Sequence, residues 1–465
     1  MRGVTNLIVI MLDSFRQDHV GVYHQGRAPF PGIDPCRTPN IDRFAGRSLI
    51  FENAYPEALP TIPVRTALMT GQRTLPFRPW QPLQPSDVTA AEILRRHEYV
   101  SGLVSDTYHY RAPGMNFHRG FHAYRWIRGQ EYDPYESGPA QRKLAEYVND
   151  HYPPLWRGRV AQFLANTDAF TRRDDWFAPQ VVGEACRWLG RNRSHKHVFL
   201  WLDSFDPHEP WDPPKSFDHY TDPHYNGRRL IMPMGGLAST WANPDEIKHI
   251  QGLYAGEAES VDFALGELFE TLERLGYYDD SIIVLLADHG HPLADHGKFL
   301  KGTDRLYNEL LRVPFLLHLP GGKRGGTRVT ATIQFHDVLP TLFDLMGLAN
   351  ETRDMHGRSF RAVVEGDSDR HHEACITGYH AGADRAIREG KWGLILRPQD
   401  EPDELYDLAA DPRERENRID ERHDVAARLA GKFGPSYFRQ SGQMGRVALI
   451  KGVQGAYEVA SGSVE

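Results

Sequence analysis

The sequence predicts an α/β fold, a sandwich of helices around a large, mostly parallel sheet with a smaller C-terminal α+β subdomain. Three observations predict it. The apolar runs Asn6 to Leu12, Val198 to Leu202 and Ser281 to Leu286 are continuous rather than alternating, the pattern of strands covered on both faces. Between the last two lies an amphipathic stretch, Asp245 to Leu275, long enough for one extended helix. From about residue 366 the texture changes to short strand-like pieces among polar turns.

Taken in order, Asn6 to Leu12 reads as a buried strand that ends on Asp13. Thr38-Pro39-Asn40 opens a helix through Arg47, with Thr38 as N-cap and Pro39 in the first helical position. A second helix start lies at Leu59 to Arg65, where Thr61 is placed as N-cap of a helix running to about Met69. Val198 to Leu202 precedes Asp203, and Val313 to Leu317 reads as a further strand after Ser281 to Leu286. Beyond residue 366, strands are expected at Ala374 to Gly378 and Trp392 to Leu396, and a helix near Val425 to Phe433. The expected division is a large domain over 1–365 and a subdomain over 366–465. The latter ends in an arm, Gly442 to Glu465, suited to packing on the body or on another subunit, with a homo-oligomer as one outcome.

At 465 residues, 40% hydrophobic and 25% charged, the chain is large enough for a sizeable core. A net charge of -8 argues against a nucleic-acid partner. A small anionic substrate held by a local positive site remains compatible with it. The three cysteines, Cys36, Cys186 and Cys375, are isolated, which excludes a disulfide framework or a cysteine zinc site. The first apolar run starts too early and is too short for a signal core, and no stretch reaches the roughly 20 apolar residues of a membrane span. A cytoplasmic protein without a membrane partner is the expectation.

In an open parallel sheet, ligands bind beyond the carboxyl ends of the strands. Asp13 closes the first strand, and Asp288 and His289 follow another in Ala287-Asp288-His289-Gly290-His291. A lone Asp there is often a turn former. Two acids and a histidine at two strand ends fit a divalent metal better. Thr61 stands where a helix N-terminus favours negative charge, with Arg65 one turn further on the same face. The plain alternative is a capping threonine. The chemical reading has a metal on the Thr61 oxygen and Arg65 gripping a non-bridging ester oxygen.

The ordered series of short motifs resembles the sulfatase family of the alkaline phosphatase superfamily. It runs Asn6 to Asp13, Thr38-Pro39-Asn40-Ile41-Asp42, Phe51-Glu52-Asn53-Ala54-Tyr55, Thr61-x-Pro63-x-Arg65 and Thr70-Gly71. It continues with Asp206-Pro207-His208-x-Pro210, Asp288-His289-Gly290, Lys301, Arg312-Val313-Pro314 and Asp337-x-x-Pro340-Thr341. Glu404 to Leu408, Asp411-Pro412 and Glu416-Asn417 resemble the C-terminal signature. The resemblance implies an alkaline-phosphatase-like sandwich in which Asp13, Thr61, Asp288 and His289 surround one divalent ion. An imidazole in that set favours manganese or zinc, with calcium as the alternative. It further implies Thr61 as nucleophile and Arg65, His208 and Lys301 as substrate-contacting or acid/base residues.

Four departures shape the expected activity. Thr61 stands where sulfatases carry the cysteine that becomes formylglycine, as in a branch of the family with threonine there. Asp13-Ser14 replaces a pair of acids. The family's Gly-Lys-x-His element corresponds to Ser105-Asp106-Thr107-Tyr108 with His109 one place later, which makes Thr107, Tyr108 and His109 the expected substrate-binding residues without the lysine. Gln72 stands where a basic residue is common. Hydrolysis of a phosphodiester or phosphonate monoester through a covalent Thr61 intermediate is therefore expected. The alternatives are sulfuric ester hydrolysis by the same threonine and a degenerate binding protein. A second zinc would need another His/Asp cluster. Asp206, His208 and His336 are available, but they lack the Asp-x-x-x-His spacing of two-zinc relatives.

Overall fold

Seven buried residues, Asn6–Leu12, form β1 near the middle of the main sheet. The computed structural model describes residues 6–111, 114–398, 401–434, 437, 439–440 and 443–444. The further strands are β2 (Leu49–Tyr55), β3 (Ala58–Leu59), β4 (Val100–Ser105), β5 (Ala123–Trp126), β6 (Val198–Ser204) and β7 (Gly236–Leu237). They continue with β8 (Ser281–Ala287), β9 (Lys298–Phe299), β10 (Phe315–His318), β11 (Arg328–Gln334), β12 (Cys375–Tyr379), β13 (Arg385–Glu389), β14 (Trp392–Leu396) and β15 (Glu404–Asp407).

The main sheet has eight strands in the order β11-β2-β10-β8-β1-β6-β4-β5. Every neighbouring pair is parallel except those made by β10, which runs antiparallel to β8 and β2. The reversal of β10 has a consequence for the site. With Phe315 opposite Leu286, the chain between β8 and β10 leaves and re-enters at the same edge. Residues 288–314 therefore stay at the carboxyl end, together with the ends of β1, β2, β4 and β6.

Helices cover both faces. Ile8, Leu200 and Gly102 share a register and a face, and the Phe177–Asn192 helix lays Trp188 over it. Gly102 is required there, since a Cβ would come within 2.5 Å of the indole. Leu7, Val9 and Val284 point the other way, toward Leu68 of the Thr61–Thr70 helix and Leu339 and Leu342 of the Val338–Leu345 helix. The long helix spans Pro244–Arg274, one residue off expectation, and opens with a capping box between Asn243 and Glu246. Strands β2, β4, β5 and β11 were not legible in the sequence because polar residues or glycine interrupt them and leave no continuous apolar run.

The smaller sheet, β15-β14-β13-β12-β3, confirms a C-terminal α+β part, and the His423–Ala430 helix packs on β14. Its edge strand β3 comes from residues 58–59, directly before Thr61. Of the expected arm, only Gln443 and Met444 are described, as one side of a two-residue ribbon with Arg439–Gln440. The rest lies outside the described residues.

His296 ties the 288–314 segment to the C-terminal part. Its ring stacks on Tyr307 at 3.6 Å, and its nitrogens bond Glu309 Oε1 at 2.8 Å and the Glu414 carbonyl at 3.0 Å. Burial opposes its charge, but these acceptors outweigh it and lift the imidazole to about 9 from the usual 6.5. Because the folded value is the raised one, this stabilisation is complete below about pH 6.5 and is lost as pH rises through about 9. Urea melts should show His296→Gln costing on the order of 2 kcal/mol at pH 6 and little at pH 9.5. An equal cost at both pH values would contradict this.

Candidate active site

Because β1 is parallel to and in register with both β6 and β8, Asp13 and Asp288 come level at the strand ends, while Asp203, opposite Met11, lies one step back on the same face. The backbone extends the register, with Asp13 N–H on the Ser204 carbonyl and Asp288 N–H on that of Leu12. Three buried carboxylates together require a counter-charge. Arg65, itself fully buried, supplies it. Nε and Nη2 donate to the two oxygens of Asp203 at 3.0 and 2.7 Å, and Nη1 donates to Asp288 Oδ2 at 2.6 Å. Nη2 also lies 3.1 Å from Asp13 Oδ2. The guanidinium thus faces the carboxylates, not outward, and the expected grip on an ester oxygen is not what this arrangement provides.

Asp203 is further held by Thr107 Oγ1 at 2.9 Å, Trp201 Nε1 at 3.3 Å and the Tyr110 hydroxyl. Neither Asp203 nor Tyr110 was identified from the sequence. The available signal was that Asp203 closes an apolar run just as Asp13 does.

Thr61 is not the cap. The N-cap is Pro60, which has no side-chain acceptor, and Thr61 is the first residue of the Thr61–Thr70 helix with no side-chain capping bond at that end. Its residue is 1% exposed. One turn on, Arg65 Nη1 reaches the Thr61 carbonyl at 3.5 Å while holding Asp288, which brings the helix start against the carboxylate cluster.

Asp13, Asp288 and His289 place one ligand atom each within 4.8 Å of one another. Ser14 adopts a left-handed backbone (φ 62). From there its N–H donates to Asp288 Oδ1 at 2.9 Å and its hydroxyl to Asp13 Oδ1 at 2.8 Å. The residue that replaces a second acid thus orients the two that remain. His289 Nδ1 bonds the Gly290 carbonyl at 2.8 Å, which leaves the Nε2 lone pair free. Nε2 of His289 and Oδ2 of Asp13 are buried without a hydrogen-bond partner, the latter having only its ion-pair contact to Arg65. Buried orphans of this kind ask for a cation. Burial, then Asp288, push the Asp13 carboxyl up. Burial pushes Asp288 up too, but His289, Arg65 and the Ser14 N–H outweigh it and hold Asp288 below the usual range. Burial lowers His289 to about 4, so its ring is neutral and ready to ligate. The residues present fit a divalent ion with mixed oxygen and nitrogen donors.

Near the carboxylates sits a lysine–histidine pair. Lys301, which follows β9, donates to His208 Nε2 and to Glu209 Oε2, each at 2.8 Å. His208 Nδ1 bonds the Glu209 carbonyl at 2.8 Å, and its ring stacks on Phe205 at 4.0 Å. Burial and then Lys301 hold His208 well below the usual histidine value, so it is neutral. Glu209 and His291 join this group. His291 is fully buried, packs edge-on against Trp211 and leaves both ring nitrogens without a hydrogen bond, Nδ1 lying 3.6 Å from Glu209 Oε2. Both lie inside motifs already read in the sequence but were assigned no role there.

The three expected substrate-binding residues separate. His109 packs between Trp80, Phe205 and His208, and burial followed by Lys301 lowers it to about 3. Tyr108 stands half-buried against Tyr132 at 4.8 Å. Thr107 faces inward to Asp203, so its side chain positions that carboxylate instead of meeting a ligand. Asp206 accepts from the Ala178 N–H and from Gln130, and it is not joined to His208 in a second metal cluster.

Comparison with known proteins decides the family. The model of the family described as sulfatase matches residues 5–348, about three quarters of the chain. The protein belongs to the sulfatase family. A second model, N-sulphoglucosamine sulphohydrolase, C-terminal, matches residues 294–433. This sulfatase-family chain is 28% identical over 446 residues to a choline-sulfatase of Rhizobium meliloti (strain 1021), covering 89% of this chain and 82% of that one. It is 25% identical over 403 residues to the multifunctional alkaline phosphatase superfamily protein PehA of Trinickia caryophylli, covering 76% of each. The phosphonate monoester hydrolase of Agrobacterium radiobacter superposes with a TM-score of 0.70 at 20% identity, over 92% of this chain and 94% of that chain. The expected alkaline-phosphatase-like fold is thereby confirmed, and the chain is an ester hydrolase of a metal-dependent family. No helix among the described residues is long and apolar enough to cross a membrane.

Proposed function

We propose that this sulfatase-family hydrolase cleaves a phosphodiester or phosphonate monoester through a covalent phosphoryl-Thr61 intermediate. The observation that carries this reading is a threonine free of any capping role at a buried helix start, tied through Arg65 to a carboxylate–imidazole cluster with orphaned donors. Asp13, Asp288 and His289 would hold the divalent ion, which supplies charge neutralisation and a lower pKa for the Thr61 hydroxyl.

Thr61 Oγ, its proton released to solvent beforehand, forms the bond to phosphorus while the bond from phosphorus to the ester oxygen breaks. Lys301 and His208 share a proton at 2.8 Å and deliver it to that leaving alcohol. Glu209 keeps Lys301 in place. In the second half, water attacks the phosphoryl group, its proton passes to the same pair, and the bond from phosphorus to Thr61 Oγ breaks to return the alkoxide. His109 and Tyr108 wall the leaving-group side. Arg65 holds the three carboxylates aligned.

A sulfuric ester is the second reading, favoured by the choline-sulfatase and arylsulfatase relatives. It is the weaker one on chemical grounds. A formylglycine hydrate sheds sulfate by eliminating it with its second hydroxyl, and threonine has none. Matched aryl phosphodiester, phosphonate and sulfate esters decide between the two. Faster turnover of the sulfate by the unmodified chain would refute the phosphorus assignment. Lys301→Ala should lower kcat about 10²–10⁴-fold for alkyl leaving groups and much less for nitrophenol, which needs no proton. An equal loss for both would remove Lys301 from the proton transfer. A small anionic ester in the cytoplasm remains the proposed setting.

A further inference from the structure

A second cluster of metal-type donors lies away from the catalytic centre. The Phe335–Asp337 turn ends the main-sheet edge strand β11, and a single bridge between Thr332 and His372 brings the segment before β12 alongside it. This gathers His336, Asp337, His371 and His372. His372 Nε2 lies 2.5 Å and His371 Nε2 3.2 Å from Asp337 Oδ2, while His336 Nε2 lies 3.7 Å from Oδ1. Ligand atoms of His336, Asp337 and His372 all fall within 4.8 Å of one another.

The cluster is enclosed. The side chains of His336, Asp337, His371 and His372 are 7%, 1%, 9% and 15% exposed. His371 Nε2 is buried and aimed at Asp337, yet it makes no hydrogen bond. One carboxylate cannot satisfy three imidazoles, since Asp337 Oδ1 already accepts the Arg358 N–H at 2.8 Å. We infer that His336, Asp337, His371 and His372 form a structural zinc site. Three imidazoles and one carboxylate are a tetrahedral donor set suited to zinc rather than to calcium or magnesium. Zn–N bonds of about 2.0–2.1 Å place such donors roughly 3.3 Å apart. His336, Asp337 and His372, already within 4.8 Å of one another, draw together on the ion, and His371, 3.2 Å from Asp337 Oδ2, completes the set. Arg358, which contacts His372 Nδ1 at 3.3 Å, gives up that contact when Nδ1 is protonated and Nε2 ligates.

The site is separate from the catalytic one. Gly357 N–H bonds the Gly71 carbonyl, and a Cβ on Gly357 would come within 1.8 Å of the His336 carbonyl oxygen. The cluster therefore sits at the C-terminal end of the Thr61–Thr70 helix, about 14 Å of helix from Thr61. Zinc there joins the edge of the main sheet to the start of β12 in the smaller one. Its role is bracing, independent of the Thr61 chemistry.

The test counts zinc in the full-length protein, stripped with chelator and reloaded with zinc alone, then desalted. An Asp13→Asn/Asp288→Asn/His289→Ala variant should keep one equivalent and melt higher with zinc than without. Adding His371→Gln/His372→Gln should remove both the equivalent and the shift in melting. His371→Gln/His372→Gln alone should bind one equivalent fewer than wild type and keep the Asp288-dependent zinc, which serves if the first variant does not fold. An unchanged count in that protein, or no zinc in the catalytic-centre variant, overturns the inference. Either result leaves the proposal about Thr61 standing.

Discussion

Thr61→Ala is expected to lower kcat at least about 10³-fold, equivalent to about 4 kcal/mol in the barrier, with metal content and melting temperature near wild type. The two halves of this expectation rest on different observations. The rate loss follows from removing the only hydroxyl at the start of the Thr61–Thr70 helix, one turn before the arginine that binds Asp288. The intact fold follows because the hydroxyl makes no capping bond, so its removal costs less than the roughly 1 kcal/mol of a lost cap. Thr61→Ser should keep measurable turnover. Thr61→Cys should gain activity only where a formylglycine-generating enzyme is present, and Val64, in place of the usual serine, weakens that modification. Wild type should be active as the unmodified chain. If a directly activated water were the nucleophile, Thr61→Ala would stay within about tenfold of wild type. A near-normal rate with normal metal content would refute the covalent route.

Arg65→Ala should be the most destabilising single change in the site, by about 3–5 kcal/mol in metal-stripped protein. It leaves Asp13, Asp203 and Asp288, each fully buried, without their shared counter-charge. The sign of the pH dependence follows. Without the guanidinium, burial and mutual repulsion raise the folded-state values of Asp13 and Asp288, so the neutral forms are favoured. The destabilisation should therefore shrink as pH falls toward 4 and grow toward neutrality. Arg65→Lys keeps the charge but cannot span both oxygens of Asp203 and also reach Asp288, so it should recover only part of the loss. Urea melts between pH 4 and 8 check this. A variant within 1 kcal/mol of wild type across that range would show that the carboxylates are balanced by something else.

Much of the site was legible because its residues close apolar runs. A buried strand of a parallel sheet announces itself by continuous hydrophobicity, and the first polar residue after it is placed at the binding edge by topology alone. Asp13, Asp288 and His289 follow this rule, and the structure brings them within ligand distance. Asp203 obeyed the same rule but carried no familiar motif. Thr61 was placed within one residue. Its capping role was misjudged because an N-cap and a first helical residue look alike in sequence, and Pro60 took the cap position.

The sequence by itself determined the fold class, the sheet-edge location of the candidate site and two of its acids, Asp13 and Asp288, because hydrophobic periodicity and chain order encode these locally. Only the tertiary structure decided what each side chain does there. Arg65 is turned inward by three carboxylates that lie 52 residues before it and 138 and 223 residues after it in the chain. Thr107 is claimed by Asp203, and Lys301 is paired with a histidine 93 residues away. The His336–His372 cluster likewise depends on a bridge between an edge strand and a loop 40 residues later. A donor's role is fixed by which acceptors share its buried space, and that is a property of the packed chain rather than of any segment.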